Sequence, residues 1–163
     1  MTLDELRFSV TVIAALGCGL MAGVFFAFSA FVMDALARLP SAQGIAAMQS
    51  INVKVVKSPF PFLAVLFGTA AACVLLVVTS LFSWDRPGSV YLLIGSLLYL
   101  VGTIGVTIVA NVPLNEALAR VDPASADGAR LWASYLSRWT AWNHVRSIAA
   151  LAGAALLTLA LTR

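Results

Sequence analysis

Apolar residues fall into four runs separated by polar breaks, covering about residues 8–33, 60–82, 89–110 and 147–161. A helix that crosses the hydrocarbon of a bilayer needs about 20 mostly apolar residues. The first three runs have that length. The fourth is shorter, and a helix-period pattern in front of it extends it. The predicted fold is therefore all-α, a four-transmembrane-helix bundle forming one domain over residues 1–163, with amphipathic helical segments in the two long connections.

The breaks carry their own signals. Asp34 and Arg38 mark the end of the first run, and Pro40 stops it. From Ser41 onward Ile45, Met48, Ile51 and Val55 recur at helical spacing, flanked by Gln49 and Asn52. This piece fits two placements. It can lie in the membrane interface, with Lys54 and Lys57 reaching headgroups, or fold over the bundle as a lid with Gln49 and Asn52 facing inward. The stretch Ser58-Pro59-Phe60-Pro61 ends it, because each proline holds the preceding residue extended. Trp84 to Gly88 reads as a short turn that makes the second and third spans antiparallel neighbours. Pro113 is expected to break or kink the chain, followed by a short helix from Leu114 to Arg120, a surface turn, and a new helix from about Ala129. Gly19, Gly23 and Ala27 lie at four-residue spacing and predict a face of close helix approach.

Composition agrees with this pattern: of 163 residues 61% are hydrophobic and 10% charged, and the mean hydropathy is +0.98. These values identify an integral membrane protein rather than a soluble domain. The net charge of +3 comes from scattered residues with no basic patch, so nucleic acid is not an expected partner. The same residues set topology. Arg38, Lys54, Lys57, Arg120, Arg130, Arg138 and Arg146 fall in the first and third connections, whereas Arg7, Arg86 and Arg163 fall on the other side. The positive-inside rule puts the long connections in the cytoplasm and both termini outside. The opening residues lack the basic n-region of a signal peptide, which makes the first run a retained helix. An Ala, Leu, Val and Arg-rich composition points to a bacterial inner membrane. Cys18 and Cys73 lie within spans at similar expected depth and read as small packing residues, without a Cys-x-x-Cys motif.

Little is left to carry chemistry. The single histidine, His144, cannot by itself supply bis-histidine haem ligation or a histidine-rich metal centre, so no cofactor is expected from this chain's own side chains, and a metal or haem held with a partner or through main-chain groups stays open. The absence of a mid-span carboxylate argues against a proton-coupled exporter. The polar and aromatic cassette from Asn111 to Arg146 remains. Trp132, Tyr135, Trp139, Trp142 and Arg146 recur at steps of three and four and would form one helical stripe. Such aromatics serve either as an interfacial belt or as a stacking surface for a flat ligand. Asn111 and Asn115 either tie helices together or hold a ligand's polar groups. Arg146 either snorkels to the interface or binds a phenolate, enolate or carboxylate. At about 100° per residue, Asn143 falls about 70° from the stripe and can share its pocket, whereas His144 falls on nearly the opposite face.

The order of these elements is similar to that of a known family. A glycine and phenylalanine-rich first helix, a polar helix with Gln49 and Asn52, Asn111-x-Pro113-x-Asn115, and Trp139-x-x-Trp142-Asn143-x-x-Arg146 before the last span resemble the anthrone oxygenase-like family of small four-helix membrane proteins. The resemblance implies oxidation of a lipophilic hydroxylated aromatic by molecular oxygen, without an established metal or flavin requirement. Under that reading Trp139 and Trp142 stack on the ligand, while Arg146 meets its anion. Asn111, Asn115, Asn143, Gln49 and Asn52 orient polar groups, and His144 is the candidate base. The alternative is a non-catalytic module that binds a lipid, a quinone-like molecule or a membrane-protein partner, with oligomerisation left open.

Overall fold

The computed structural model describes residues 2–57 and 60–163. Among these, all regular structure is helical: α1 (Leu3–Ala37), α2 (Ser41–Lys57), α3 (Phe62–Phe82), α4 (Ser89–Ala119) and α5 (Ala126–Ala160). The first helix opens on a capping box in which Glu5 N–H donates to Thr2 Oγ1 at 3.2 Å and Thr2 N–H donates to Glu5 Oε2 at 2.8 Å. Ser125 caps α5 by accepting from Gly128 N–H at 3.0 Å. The expected stop at Ser58-Pro59 lies outside the described residues.

The four long helices, α1, α3, α4 and α5, close a ring in which each packs on two antiparallel neighbours: α1 on α3 and α5, α4 on α3 and α5. All four are long and apolar enough to cross a membrane. Their outward faces leave Leu16, Phe26, Leu81 and Ile148 exposed, as lipid-facing surface requires. This is a multi-pass membrane protein.

Lipid is as apolar as leucine, so helix association depends on close packing rather than on hydrophobic expulsion. The end of the bundle that holds the chain termini meets this need with small residues. A side chain at Gly153 would start 2.9 Å from the Gly95 carbonyl oxygen, and one at Gly102 would collide with Ala149 Cβ. Gly17 leaves the same kind of room for Thr69. Gly19 and Gly23, in contrast, face open space. The inward face of α1 runs through Ala14, Cys18, Met21, Ala22 and Phe25, so the expected close-approach row on Gly19 and Gly23 points away from the bundle. Cys18 and Cys73 are free, buried and side by side in this core.

At the opposite end the helices depart from ideal geometry. Turns widen to π-helical form at Phe28–Val32 in α1 and at Leu98–Gly105 and Thr107–Asn111 in α4. The last of these corrects the expected break at Pro113. Proline has no N–H to donate, and its ring collides with the carbonyl four residues back in a regular α-helix. The widened turn, in which Val112 N–H donates to Thr107 O, relieves that collision. The helix continues through Pro113 to Ala119, so the short helix expected after Pro113 is the end of α4.

The amphipathic α2 folds onto the bundle rather than turning its apolar stripe to the membrane. Ile45 and Met48 are buried against Leu118, Trp132, Tyr135 and Trp139. Gln49 Nε2 donates to Leu118 O at 2.9 Å and Val121 O at 3.1 Å, tying α2 to the last turn of α4 and the chain just after it.

Gly102→Val should lower stability by about 1–3 kcal/mol, the usual range for overpacking. Gly19→Ala should be neutral, or stabilising by about 0.4–1 kcal/mol through its effect on the unfolded chain. Unfolding of both variants in detergent checks this pair, and equal losses would contradict the assigned helix faces.

Candidate functional site

Phe25, Phe62, Ile104, Asn111, Trp139 and Arg146 are among the residues that enclose a cavity of about 730 Å³ roofed by α2. The volume is in the usual range for small-molecule sites, about 300–1,000 Å³. Its walls are mainly apolar, and its polar groups come from a few positions whose placement follows from the helix geometry.

Arg146 is 5% exposed. Its Nη1 donates to Thr107 Oγ1 at 3.2 Å and its Nη2 to Asn143 Oδ1 at 2.6 Å. The guanidinium carbon lies 4.3 Å from the Phe25 ring centroid and 5.3 Å from that of Trp139. Both rings offer a negative π-face to the cation. Among the described residues no carboxylate is within ion-pair distance of Arg146; the ion pairs present join exposed side chains. Arg146 Nε is buried without a hydrogen-bond partner.

Asn143 holds that guanidinium from behind. Its Nδ2 donates to Phe25 O and to Ser29 Oγ, each at 2.6 Å, which fixes the amide with its oxygen toward Arg146. Asn111 is 1% exposed and donates through Nδ2 to Trp139 O at 3.2 Å, leaving its Oδ1 buried and unpartnered. Asn115 Oδ1 accepts from Tyr135 Oη at 2.8 Å and Trp139 Nε1 at 2.9 Å. It therefore sets the ring planes of two aromatics. Asn52 lines the cavity from α2, with Nδ2 buried and unpartnered.

Six of the residues singled out from sequence, Gln49, Asn52, Asn111, Asn115, Trp139 and Arg146, line this one cavity. Asn143 stands directly behind it. The two asparagines of α4 do tie that helix to α5, and Asn111 also keeps an acceptor free. Trp132, Tyr135 and Trp139 are buried inside the bundle and stack in succession, so they are no interfacial belt.

Two assignments are corrected. Trp142 is 43% exposed and has no place on the cavity. His144 is exposed and lines a shallow groove with Ser29, Met33, Asp34 and Thr140 on another side of α5. His144 lies where its helical phase placed it, and for Trp142 the cause is periodicity. Steps of three and four that repeat every seven residues drift by about 20° per heptad on a straight helix. The buried face therefore passes from Trp139 to Asn143 rather than Trp142, then reaches Arg146, Ala150, Gly153 and Leu157.

Three contributors were not assigned to the site from sequence. Thr107 accepts from Arg146, the Phe25 ring lies against the guanidinium, and Glu116 is the one carboxylate among the described lining residues. A signal for Thr107 does exist. Thr103, Thr107, Asn111 and Asn115 lie at four-residue steps, each of which turns a side chain about 40° off its row in an ideal α-helix. The widened turns of α4 offset this drift and bring Thr107, Asn111 and Asn115 to one wall.

Among the described residues no group of three or more His, Cys, Asp or Glu side chains is placed to hold a metal ion. The donors offered to a ligand are the guanidinium and side-chain amides. Together they suit a molecule with a flat apolar body and one oxygen able to carry negative charge.

No curated protein and no solved structure shows significant similarity to the chain. A family model described as anthrone oxygenase matches residues 60–156, a stretch that includes Asn111, Pro113, Asn115, Trp139, Asn143 and Arg146. Matched over more than half its length, the chain belongs to the anthrone oxygenase family.

Proposed function

We propose that this protein oxidises a lipophilic hydroxylated aromatic of the anthrone type with molecular oxygen, and that Arg146 stabilises the anion from which the reaction starts. The observation that carries this reading is a buried guanidinium beside an apolar cavity, with an unpartnered Nε and no acidic neighbour within ion-pair distance. Such a cation favours a ligand that brings the missing negative charge.

In the proposed reaction the methylene carbon of the substrate loses a proton, and the electron pair moves into an enolate whose oxygen faces Arg146. Glu116, on the cavity rim, receives that proton in place of His144 and passes it to water. The electron-rich anion gives one electron to dioxygen, and the two radicals join to form a carbon–oxygen bond. The resulting peroxide takes up a proton. Loss of the second methylene hydrogen with cleavage of the oxygen–oxygen bond then leaves a carbonyl. One oxygen atom ends in the quinone and the other in water, so the four electrons lost by carbon account for the reduction of dioxygen. Trp139 and Phe25 flank the ring system, and the roof formed by α2 limits water at the anion. The distribution of basic residues supports a cytoplasmic location for the roofed end of the bundle and an outer location for both termini.

Arg146→Gln should lower kcat for oxygen uptake with an anthrone by about 10²–10³-fold, the range seen when one donor to a developing oxyanion is removed. Oxygen consumption at the wild-type rate by the folded variant would sink the assignment. Glu116→Gln should cost about 10²-fold, the lower range for general base catalysis, whereas His144→Ala should leave kcat within about twofold because its side chain is outside the cavity. If His144→Ala is the more damaging change, the proton route is wrong.

A further inference from the structure

The cavity has an open side. Toward the end with the chain termini α3 packs along Ser89–Gly105 of α4, and this pairing does not extend appreciably along Thr107–Asn111. The gap beneath α2 is edged by Val53, Val56, Phe67, Ile108 and Val112, all of which line the cavity and are exposed. Phe67 is 56% and Ile108 59% exposed. Gly68, next to Phe67, has nothing within reach of an added side chain. Phe67, Ile108 and Val112 belong to helices long and apolar enough to cross the membrane, so their side of this edge faces acyl chains, while Val53 and Val56 edge it from α2. Lys57 and Glu116 line the cavity as its exposed charged members.

We propose that the cavity is loaded sideways from the bilayer, through the gap between α3 and α4, by a neutral ring compound that ionises only after it reaches Arg146. This inference rests on the ligand class proposed above and adds its route and a rule of selection. An apolar sill imposes a large desolvation cost on a charged group, so the anion cannot be the form that crosses it. A protonated phenol or an unenolised ketone crosses at little cost. Inside, Arg146 Nε and Asn52 Nδ2 offer donors and Asn111 Oδ1 offers an acceptor, each without a partner in the protein. A hydroxyl beside an enolisable carbonyl supplies the complementary pair. Phe67, Ile108 and Val112 thus select against conjugates carrying sulfonate, phosphate or sugar groups, while Arg146 selects among the neutral compounds that pass.

The test uses full-length protein in phosphatidylcholine vesicles and dihydroxyanthraquinone as the probe. Binding is followed as quenching of the part of the tryptophan emission that is absent from Trp139→Phe. Ile108→Trp narrows the gap from an exposed position and should slow association by about tenfold with little change in affinity, whereas Phe67→Ala should speed it. A sulfonated analogue added from water should not quench. Unchanged association in both variants, or equal quenching by the sulfonated analogue, overturns the lateral route and leaves the role of Arg146 intact. Wild-type affinity in Arg146→Gln has the opposite meaning: it overturns the anion site, while the two sill variants still report on the route. Absence of saturable quenching in the wild type, or tightly retained phospholipid in place of the probe, overturns both.

Discussion

A guanidinium inside a membrane protein has to be solvated by something other than water. Placing an arginine at the centre of a spanning helix costs about 2.5–3.5 kcal/mol on insertion scales, and hydrogen bonds to a charged group return about 1.5–3 kcal/mol each. Arg146 has two such bonds, to Thr107 and Asn143, and two aromatic faces. These contacts take the place of part of the hydration that the guanidinium loses on burial. Much of the surrounding structure follows from that arrangement: Asn143 is immobilised by α1 so that its oxygen faces the guanidinium, Trp139 is oriented by Asn115, and Thr107 is brought round by the irregular backbone of α4.

That irregular backbone connects Pro113 to the site. A proline in mid-helix ordinarily produces a kink or a break. Here the wider turns ahead of it relieve the clash and also change the angular spacing of the residues they contain. Polar side chains four apart would spread round a regular α-helix, but in α4 they converge on the cavity. A single residue, Pro113, thereby acts at two levels, on the local hydrogen-bond register and on the composition of a wall formed by several residues.

The spans, their order, and six of the cavity's polar and aromatic residues could be read from the amino-acid pattern, because length, apolarity and unusual polar positions survive without knowledge of packing. Helix phase was less legible. Over 35 residues of α5 a small error in the assumed period is enough to exchange Asn143 for Trp142. Gly19 and Gly23 illustrate a related limit: small residues permit close approach but do not say whether a neighbour takes it up. The inward docking of α2 was open for the same reason, since an apolar stripe suits protein and lipid equally. Glu116 gave no signal as a lone charge near a helix end, and only the approach of α2 and α4 makes it part of a rim.

The tight contacts of Gly95 with Gly153 and of Gly102 with Ala149 have a consequence for traffic. They draw α4 and α5 together beyond the cavity, where Gly153 meets the Gly95 carbonyl and Gly102 meets Ala149 Cβ, and leave no room along that seam for a larger side chain. That seam offers no passage out of the cavity. Under the proposed activity and route, a product leaves by the gap through which its precursor came, so turnover would exchange one membrane-dissolved compound for another without moving either across the bilayer.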